Sequence, residues 1–88
     1  MGENNKDQLE DAIVIMETSL EAAKEQKVAL DKYCAQIAGI MEKLKTNEAK
    51  QELAEITQVN YKTMIELEVR IAEMEKQLRL MKMQALFS

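Results

Sequence analysis

Apolar residues follow a regular spacing along the first half of the chain. Alternating steps of four and three residues, counted from Leu9, meet an apolar side chain at every position except Lys27. These positions are Leu9, Ile13, Met16, Leu20, Ala23, Lys27, Leu30, Cys34, Ile37, Met41 and Leu44. Such spacing is typical of a helix that packs along a coiled-coil seam. Beyond Leu44 the same rhythm would place Glu48 and Gln51 in the seam, so the first stripe ends there.

A second stripe with the same spacing occupies the other half of the chain. It consists of Lys50, Leu53, Thr57, Asn60, Met64, Leu67, Ile71, Met74, Leu78, Met81 and Ala85. The second stripe is out of phase with the first by two residues, whereas continuous coiled coils commonly absorb insertions of three or four. Thr46 and Asn47, which lie between the stripes, are good helix-capping residues. The pattern therefore predicts that the chain reverses direction near these two residues.

The predicted fold is all-α, an antiparallel two-helix coiled-coil hairpin. We expect a frayed N-terminus at 1–5 and a single helical hairpin over 6–88. Within it, helix 1 spans about 6–45, the turn about 46–48 and helix 2 about 49–86. Antiparallel packing pairs positions whose residue numbers have a constant sum. The predicted layers therefore run from Leu44 with Lys50 beside the turn to Leu9 with Ala85 at the free end.

Charged residues on one flank of the seam give a weak test of this register. The facing pairs are Glu10 with Lys82, Lys24 with Glu68, and Glu17 with Glu75. The first two are complementary and the third is not. Because an exposed pair contributes only about 0.5 kcal/mol, charge adds little to a prediction that depends on the seam and the turn.

The opposite flank and the adjoining outer arc carry few charges, and with the C-terminal end they form the candidate partner-binding surface. Its residues are Ala12, Ile15, Ser19, Ala22, Ala29, Tyr33, Ile40, Ile56, Val59, Leu80, Met83, Leu86 and Phe87. Small side chains in this set would let another helix approach closely, which predicts completion into a three- or four-helix bundle by self-association or by a partner. The alternative is that alanine merely favours helix on a solvated face. The C-terminal members either complete a self-association core or contact a different partner.

Polar residues within the seam are candidates for setting its register. Lys27, Cys34 and Asn60 interrupt an otherwise apolar stripe, and isolated polar seam residues can fix alignment and oligomer number. The simpler interpretation of Lys27 is that its long side chain extends past its neighbours toward Asp31 or Glu68. Cys34 is also explained as a small buried hydrophobic residue.

Composition agrees with the helical interpretation and limits the function classes. The 88 residues include no Pro, two Gly and only 3% aromatic residues, and 47% are hydrophobic, which is typical of long helices. A net charge of -4 disfavours binding to nucleic acid and to anionic lipid. No N-terminal apolar run resembles a signal peptide or membrane span, so we expect a cytoplasmic protein.

The sequence contains no candidate catalytic, cofactor-binding or metal-binding site. There is no His, and one Cys cannot supply the usual zinc or iron–sulfur ligand sets within one chain. No phosphate-binding loop or nucleophile motif is present, so we expect no enzymatic activity and no cofactor.

The sequence thus favours a protein–protein interaction module that oligomerises or docks on partner helices through apolar Leu, Ile and Met faces. An alternative is a small acidic chaperone or regulator that masks an aggregation-prone client such as a secretion substrate. A third possibility is a subunit of a larger heteromeric coiled-coil complex.

Overall fold

Two long helices form an extended antiparallel hairpin in the computed structural model, which describes residues 5–87. Helix α1 spans Asn5–Met41 and helix α2 spans Asn47–Leu86. They pack along their lengths as a rod of 69 × 18 × 14 Å. The prediction of an all-α antiparallel hairpin is confirmed. Of the expected frayed N-terminus at 1–5, residues 1–4 lie outside the described part of the chain, and Asn5 already belongs to α1.

The connection between the helices occupies residues 42–46, slightly earlier in the chain than the expected turn. The backbone N–H of Lys43 donates to the Ile40 carbonyl at 2.8 Å, and that of Leu44 donates to the Met41 carbonyl at 3.3 Å. These short-range bonds tighten the end of α1 and satisfy carbonyls that the helix leaves open. The turn uses no left-handed residue, since no described residue has a positive φ.

Thr46 caps the start of α2, as its position between the stripes suggests. Its backbone is extended, and its side-chain oxygen accepts a hydrogen bond from the Ala49 backbone N–H at 3.1 Å. The cap satisfies one of the amide groups that a helix N-terminus leaves unpaired. Helix α2 therefore begins at Asn47, immediately after Thr46, which places Leu44 in the connection rather than at the end of α1.

The seam between the helices forms the core of the hairpin. Every predicted seam position of the first stripe is buried or half-buried, and the same holds for the second stripe except at Lys50. The most deeply buried hydrophobic side chains are Leu20, Ala23, Ile37, Leu67 and Leu78. Thr57 is accommodated because its hydroxyl donates to the Leu53 carbonyl at 2.8 Å. The stripes thus identified the contact surface correctly over most of its length.

The predicted layer of Leu44 with Lys50 is wrong at its lysine. Lys50 is exposed, whereas Leu44 is half-buried within the connection. Lys50 lies in the first turn of α2, where its backbone N–H donates to the Thr46 carbonyl at 3.2 Å. Helix α1 ends at Met41, before the chain reverses direction, so no part of α1 lies opposite Lys50 to cover it.

Gly39 lies on the exposed side of α1 with open space around it. A Cβ built at this position meets nothing within 4 Å. Gly39 therefore does not permit a close helix crossing within the hairpin, and it leaves a point of low helix propensity near the end of α1.

Replacing Gly39 by alanine is expected to stabilise the hairpin. Gly39→Ala should raise the free energy of unfolding by about 0.5–1 kcal/mol, because alanine loses less backbone freedom in a helix. Denaturant unfolding followed by circular dichroism at one fixed protein concentration measures the change. The exposed Ala35→Gly in the same helix is the matched control and should lower stability by a similar amount. A destabilising Gly39→Ala would mean that another helix packs closely against this point.

Candidate interaction surface

The two long faces of the hairpin differ in how charge is distributed. On one face, Lys24 Nζ lies 3.9 Å from Glu75 Oε1 and Lys82 Nζ lies 3.3 Å from Glu17 Oε2. The Lys27 ammonium also approaches this face, 3.4 Å from Glu68 Oε1. All three pairs cross from one helix to the other. We call this side the ion-paired face.

The charged partners on this face differ from those expected from sequence. Lys24 pairs with Glu75 rather than Glu68, and Lys82 pairs with Glu17 rather than Glu10. The reason is the direction of side chains on a helix, which lean toward the N-terminus of their own helix. In an antiparallel pair the two leans converge, so each lysine reaches a carboxylate one heptad further along. The expected repulsion between Glu17 and Glu75 is absent because each of them meets a lysine instead.

The Lys27–Glu68 pair distinguishes between the possible registers of the seam. Heptad spacing permits alignments that differ by whole heptads. The predicted layers place Lys27 opposite Leu67 and therefore beside Glu68, in agreement with the 3.4 Å distance. A shift by one heptad would move the two residues apart by about 10 Å along the axis. The ion pair thus agrees with the predicted alignment, and it confirms the interpretation that the Lys27 side chain reaches toward Glu68.

The opposite side of the hairpin is defined by an uncharged strip along α1. In that strip the residues recur with helical spacing, and none of them is Asp, Glu, Lys or Arg. They are Ala12, Ile15, Ser19, Ala22, Gln26, Ala29, Tyr33, Gln36 and Ile40. On the same side, α2 presents Ile56 and Val59 near the turn, with Glu52 beside them, and Leu80 and Phe87 near the free end. Between these ends lie Glu66, Arg70 and Glu73. We call this whole surface the association face.

Most of the partner-binding residues predicted from sequence are exposed in the hairpin. Ala12 is half-buried against the seam, and all the others are exposed. Ile15 is 66% exposed and Val59 is 64% exposed, while the terminal Leu86 and Phe87 reach 81% and 86%. Met83 and Leu86 point away from the association face, so the structure does not unite the whole predicted set on one surface. The remaining members lie on or beside the association face.

Sequence reasoning missed a second group of exposed apolar residues. Outside the association face, the large exposed hydrophobic side chains include Val14, Val28, Tyr61, Ile65 and Val69. The sequence could have indicated them, because they are large apolar residues at helix positions next to the two stripes or behind them. The predicted surface did not include them, because it was defined by the flank with the fewest charges. Val28 lines a shallow groove of the ion-paired face together with Lys24, Lys27 and Glu75.

Asn60 is the seam residue with an unmet polar requirement. Its side-chain Nδ2 is buried and has no hydrogen-bond partner. Cys34, in the neighbouring predicted layer, is half-buried with a free thiol. A buried amide without a partner costs about 1–3 kcal/mol, so Asn60 lowers the stability of the hairpin. A loss of stability of this kind is typical of polar seam residues that fix the alignment of helices. The register-setting role of Lys27, Cys34 and Asn60 stays a prediction.

Comparison with known proteins does not assign the chain to a family. No protein-family model matches it, and neither a curated protein nor a solved structure is significantly similar to it. Within residues 5–87, no three His, Cys, Asp or Glu side chains are grouped so as to hold a metal ion. Neither helix, over the same residues, has a segment apolar and long enough to cross a bilayer. The interpretation therefore depends on the two faces described above.

Replacing Asn60 by leucine is expected to stabilise the hairpin. Asn60→Leu removes a buried donor that lacks a partner and adds apolar contact, so the free energy of unfolding should rise by about 1–3 kcal/mol. Chemical denaturation at fixed protein concentration measures it. Gln58→Leu, on the exposed side of the same helix, serves as the control and should change stability by less than about 0.5 kcal/mol. A loss of stability in Asn60→Leu would show that the amide is satisfied in solution.

The Glu17–Lys82 pair is expected to make a small, salt-sensitive contribution. Glu17→Lys should lower stability by about 0.5 kcal/mol, because two ammonium groups then meet across the ion-paired face. Adding Lys82→Glu to the same chain should restore most of that loss. A double-mutant cycle on unfolding free energies gives the coupling, which should shrink at high salt. Zero coupling at low salt would contradict the observed pairing.

Proposed function

We propose that this protein is a non-enzymatic interaction module whose association face is covered by other helices to complete a three- or four-helix bundle. The observation that carries the proposal is the uncharged strip of α1, which extends from Ala12 to Ile40 in a helix that is otherwise rich in charge. A solvated helix face has no physical need to exclude charge over such a length, whereas a face that packs against a helix does. The proposed site of action is cytoplasmic, with neither nucleic acid nor membrane as partner.

The thin core of the hairpin supports the proposal. Among the described residues, no large side chain is completely enclosed, and the buried hydrophobic set is limited to Leu20, Ala23, Ile37, Leu67 and Leu78. Ordering a chain of this length costs on the order of 100 kcal/mol of conformational entropy. Two helices that share one seam can bury only a narrow stripe each, so little margin is left. Coverage of the association face would add the missing burial and stabilise the fold by mass action.

A pair of charge insertions tests the proposal. Ala22→Glu with Ala29→Glu places two carboxylates in the middle of the uncharged strip and should abolish association. The matched control is Ala35→Glu with Ala72→Glu, which adds the same charge at exposed alanines outside the association face. Helix propensity changes equally in both variants, so the hairpin itself is affected to the same small extent.

Analytical ultracentrifugation and thermal melts at several concentrations give the outcome. The native protein and the control should show a melting midpoint that rises with protein concentration, whereas the strip variant should not. The strip variant should also lose binding to any helical partner that the native protein retains. Equal association in both variants would refute the role of the strip.

A second candidate function is supported by the apolar C-terminal end. Met83 and Leu86 are exposed on sides of α2 that the association face does not include, and Phe87 ends the helix with its ring open to solvent. Such adaptable side chains suit the masking of an aggregation-prone client. In that case Met83→Ser with Leu86→Ser should abolish protection of the client from aggregation, measured by turbidity, while self-association remains. If the same variant protects the client normally, the masking function is excluded at this end.

A further inference from the structure

We propose that the association face is covered by a second copy of this chain, packed face to face with the two turns at opposite ends of a four-helix bundle. The inference rests on the proposed function and names the partner. In this arrangement a two-fold axis passes between the copies near Gln26, so that α1 lies antiparallel to α1 of the second copy and α2 lies antiparallel to α2.

The exposed area of the hairpin is large enough to supply the interface of a stable dimer. A compact monomer of 10.1 kDa exposes about 5,300 Å², whereas the hairpin exposes 7135 Å². The excess is about 1,800 Å² per chain, more than the roughly 800 Å² that each partner contributes to a standard stable complex. A rod 69 Å long offers that area along one continuous face to another rod of the same length.

The uncharged strip is complementary in size to itself when reversed. In the row of strip residues beside the seam, the bulky Tyr33 and Ile40 lie toward the turn, and the small Ala12 and Ser19 lie toward the free end. With the axis at Gln26, Tyr33 of one copy faces Ser19 of the other. Ile40 correspondingly faces Ala12. Large side chains opposite small ones allow two helices to interdigitate at native packing density.

The structure independently fixes which part of α2 lies at the axis. A groove in the middle of the association face is lined by Gln26 of α1 and by Thr63, Glu66, Leu67 and Arg70 of α2. The axis chosen from α1 therefore passes α2 midway between Glu66 and Arg70. Reversal about that midpoint places Ile56 of one copy opposite Leu80 of the other, which brings exposed apolar side chains from the turn end and the free end together.

The same axis also produces charge complementarity in α2. Arg70 of each copy faces Glu66 of the other copy, so this carboxylate meets a cation across the contact. With the turns at the same end, α2 would instead face α1 of the other copy. Glu66 would then be covered by Ala29 with no cation opposite, which is unfavourable. Charge therefore selects the arrangement with the turns at opposite ends.

Thiol crosslinking in solution tests the arrangement. In a Cys34→Ala background, Gln26→Cys puts one thiol per chain beside the proposed axis, and a short bismaleimide should convert most of the protein into a covalent dimer. The control Lys32→Cys lies on the exposed outer side of α1 and should give little dimer. Sedimentation of the uncrosslinked protein should give a dimer mass. A covalent dimer that forms only when Gln26→Cys is combined with Arg70→Cys would overturn the proposed orientation.

A charge reversal at the axis provides a second measurement. Arg70→Glu should weaken dimerisation roughly five- to tenfold, because it places carboxylates opposite carboxylates, and adding Glu66→Arg to the same chain should restore it. A monomer at all concentrations, or an oligomer larger than a dimer, would overturn this inference. In the monomer case the proposed function survives if the Ala22→Glu with Ala29→Glu variant loses binding to another helical protein, so the two failures are distinguishable.

Discussion

The structure depends on a geometric limit, which is that two helices in contact can hide only the stripe that each turns toward the other. In this hairpin the hidden stripes are the two heptad series, and only a few of their side chains, such as Leu20 and Leu67, are buried rather than half-buried. Everything outside the seam must either be hydrated or be covered by something else. Because the seam also contains Lys27 and the unpaired amide of Asn60, it supplies little stability beyond what folding requires.

The two faces outside the seam meet this limit in different ways. On the ion-paired face, Lys24 and Lys82 reach carboxylates on the other helix, so charged side chains span the groove and remain in contact with water. On the association face, α1 offers no charge at all along its strip. The hairpin therefore has one hydrated face with salt bridges between the helices. Its other face has an uncharged strip that is suited to packing against a helix. The proposed dimer uses that difference, since its contact excludes the ion-paired face.

Polar groups in and near the contact surfaces are proposed to act on specificity more than on affinity. The amide of Asn60 has no hydrogen-bond partner in the seam, and in the predicted register-setting role it would penalise other alignments. Arg70, Glu66 and Glu73 lie at the centre of the association face, where a partner in the wrong orientation would leave carboxylates without a cation. An apolar surface alone would accept many partners in many alignments. These few charges make one orientation better than the others.

Much of the architecture could be predicted from sequence because heptad periodicity is a local property. The two stripes, their phase difference and the capping ability of Thr46 determined that the chain forms two helices and reverses between them. They also identified which residues enter the seam, with the exception of Lys50. The candidate surface was found as the flank poorest in charge, since the absence of charge is visible in the sequence.

Only the tertiary structure decided which charges meet and which apolar residues are left outside. Ion pairing between Lys24 and Glu75 depends on the converging lean of side chains across two helices, which residue numbers alone do not contain. The exposure of Val28 and Tyr61 depends on how far the second helix reaches around the first. The sequence by itself determined the helices and their seam, because those depend on spacing along one chain. The faces were decided by the packing of one helix on the other, because exposure is a property of the pair.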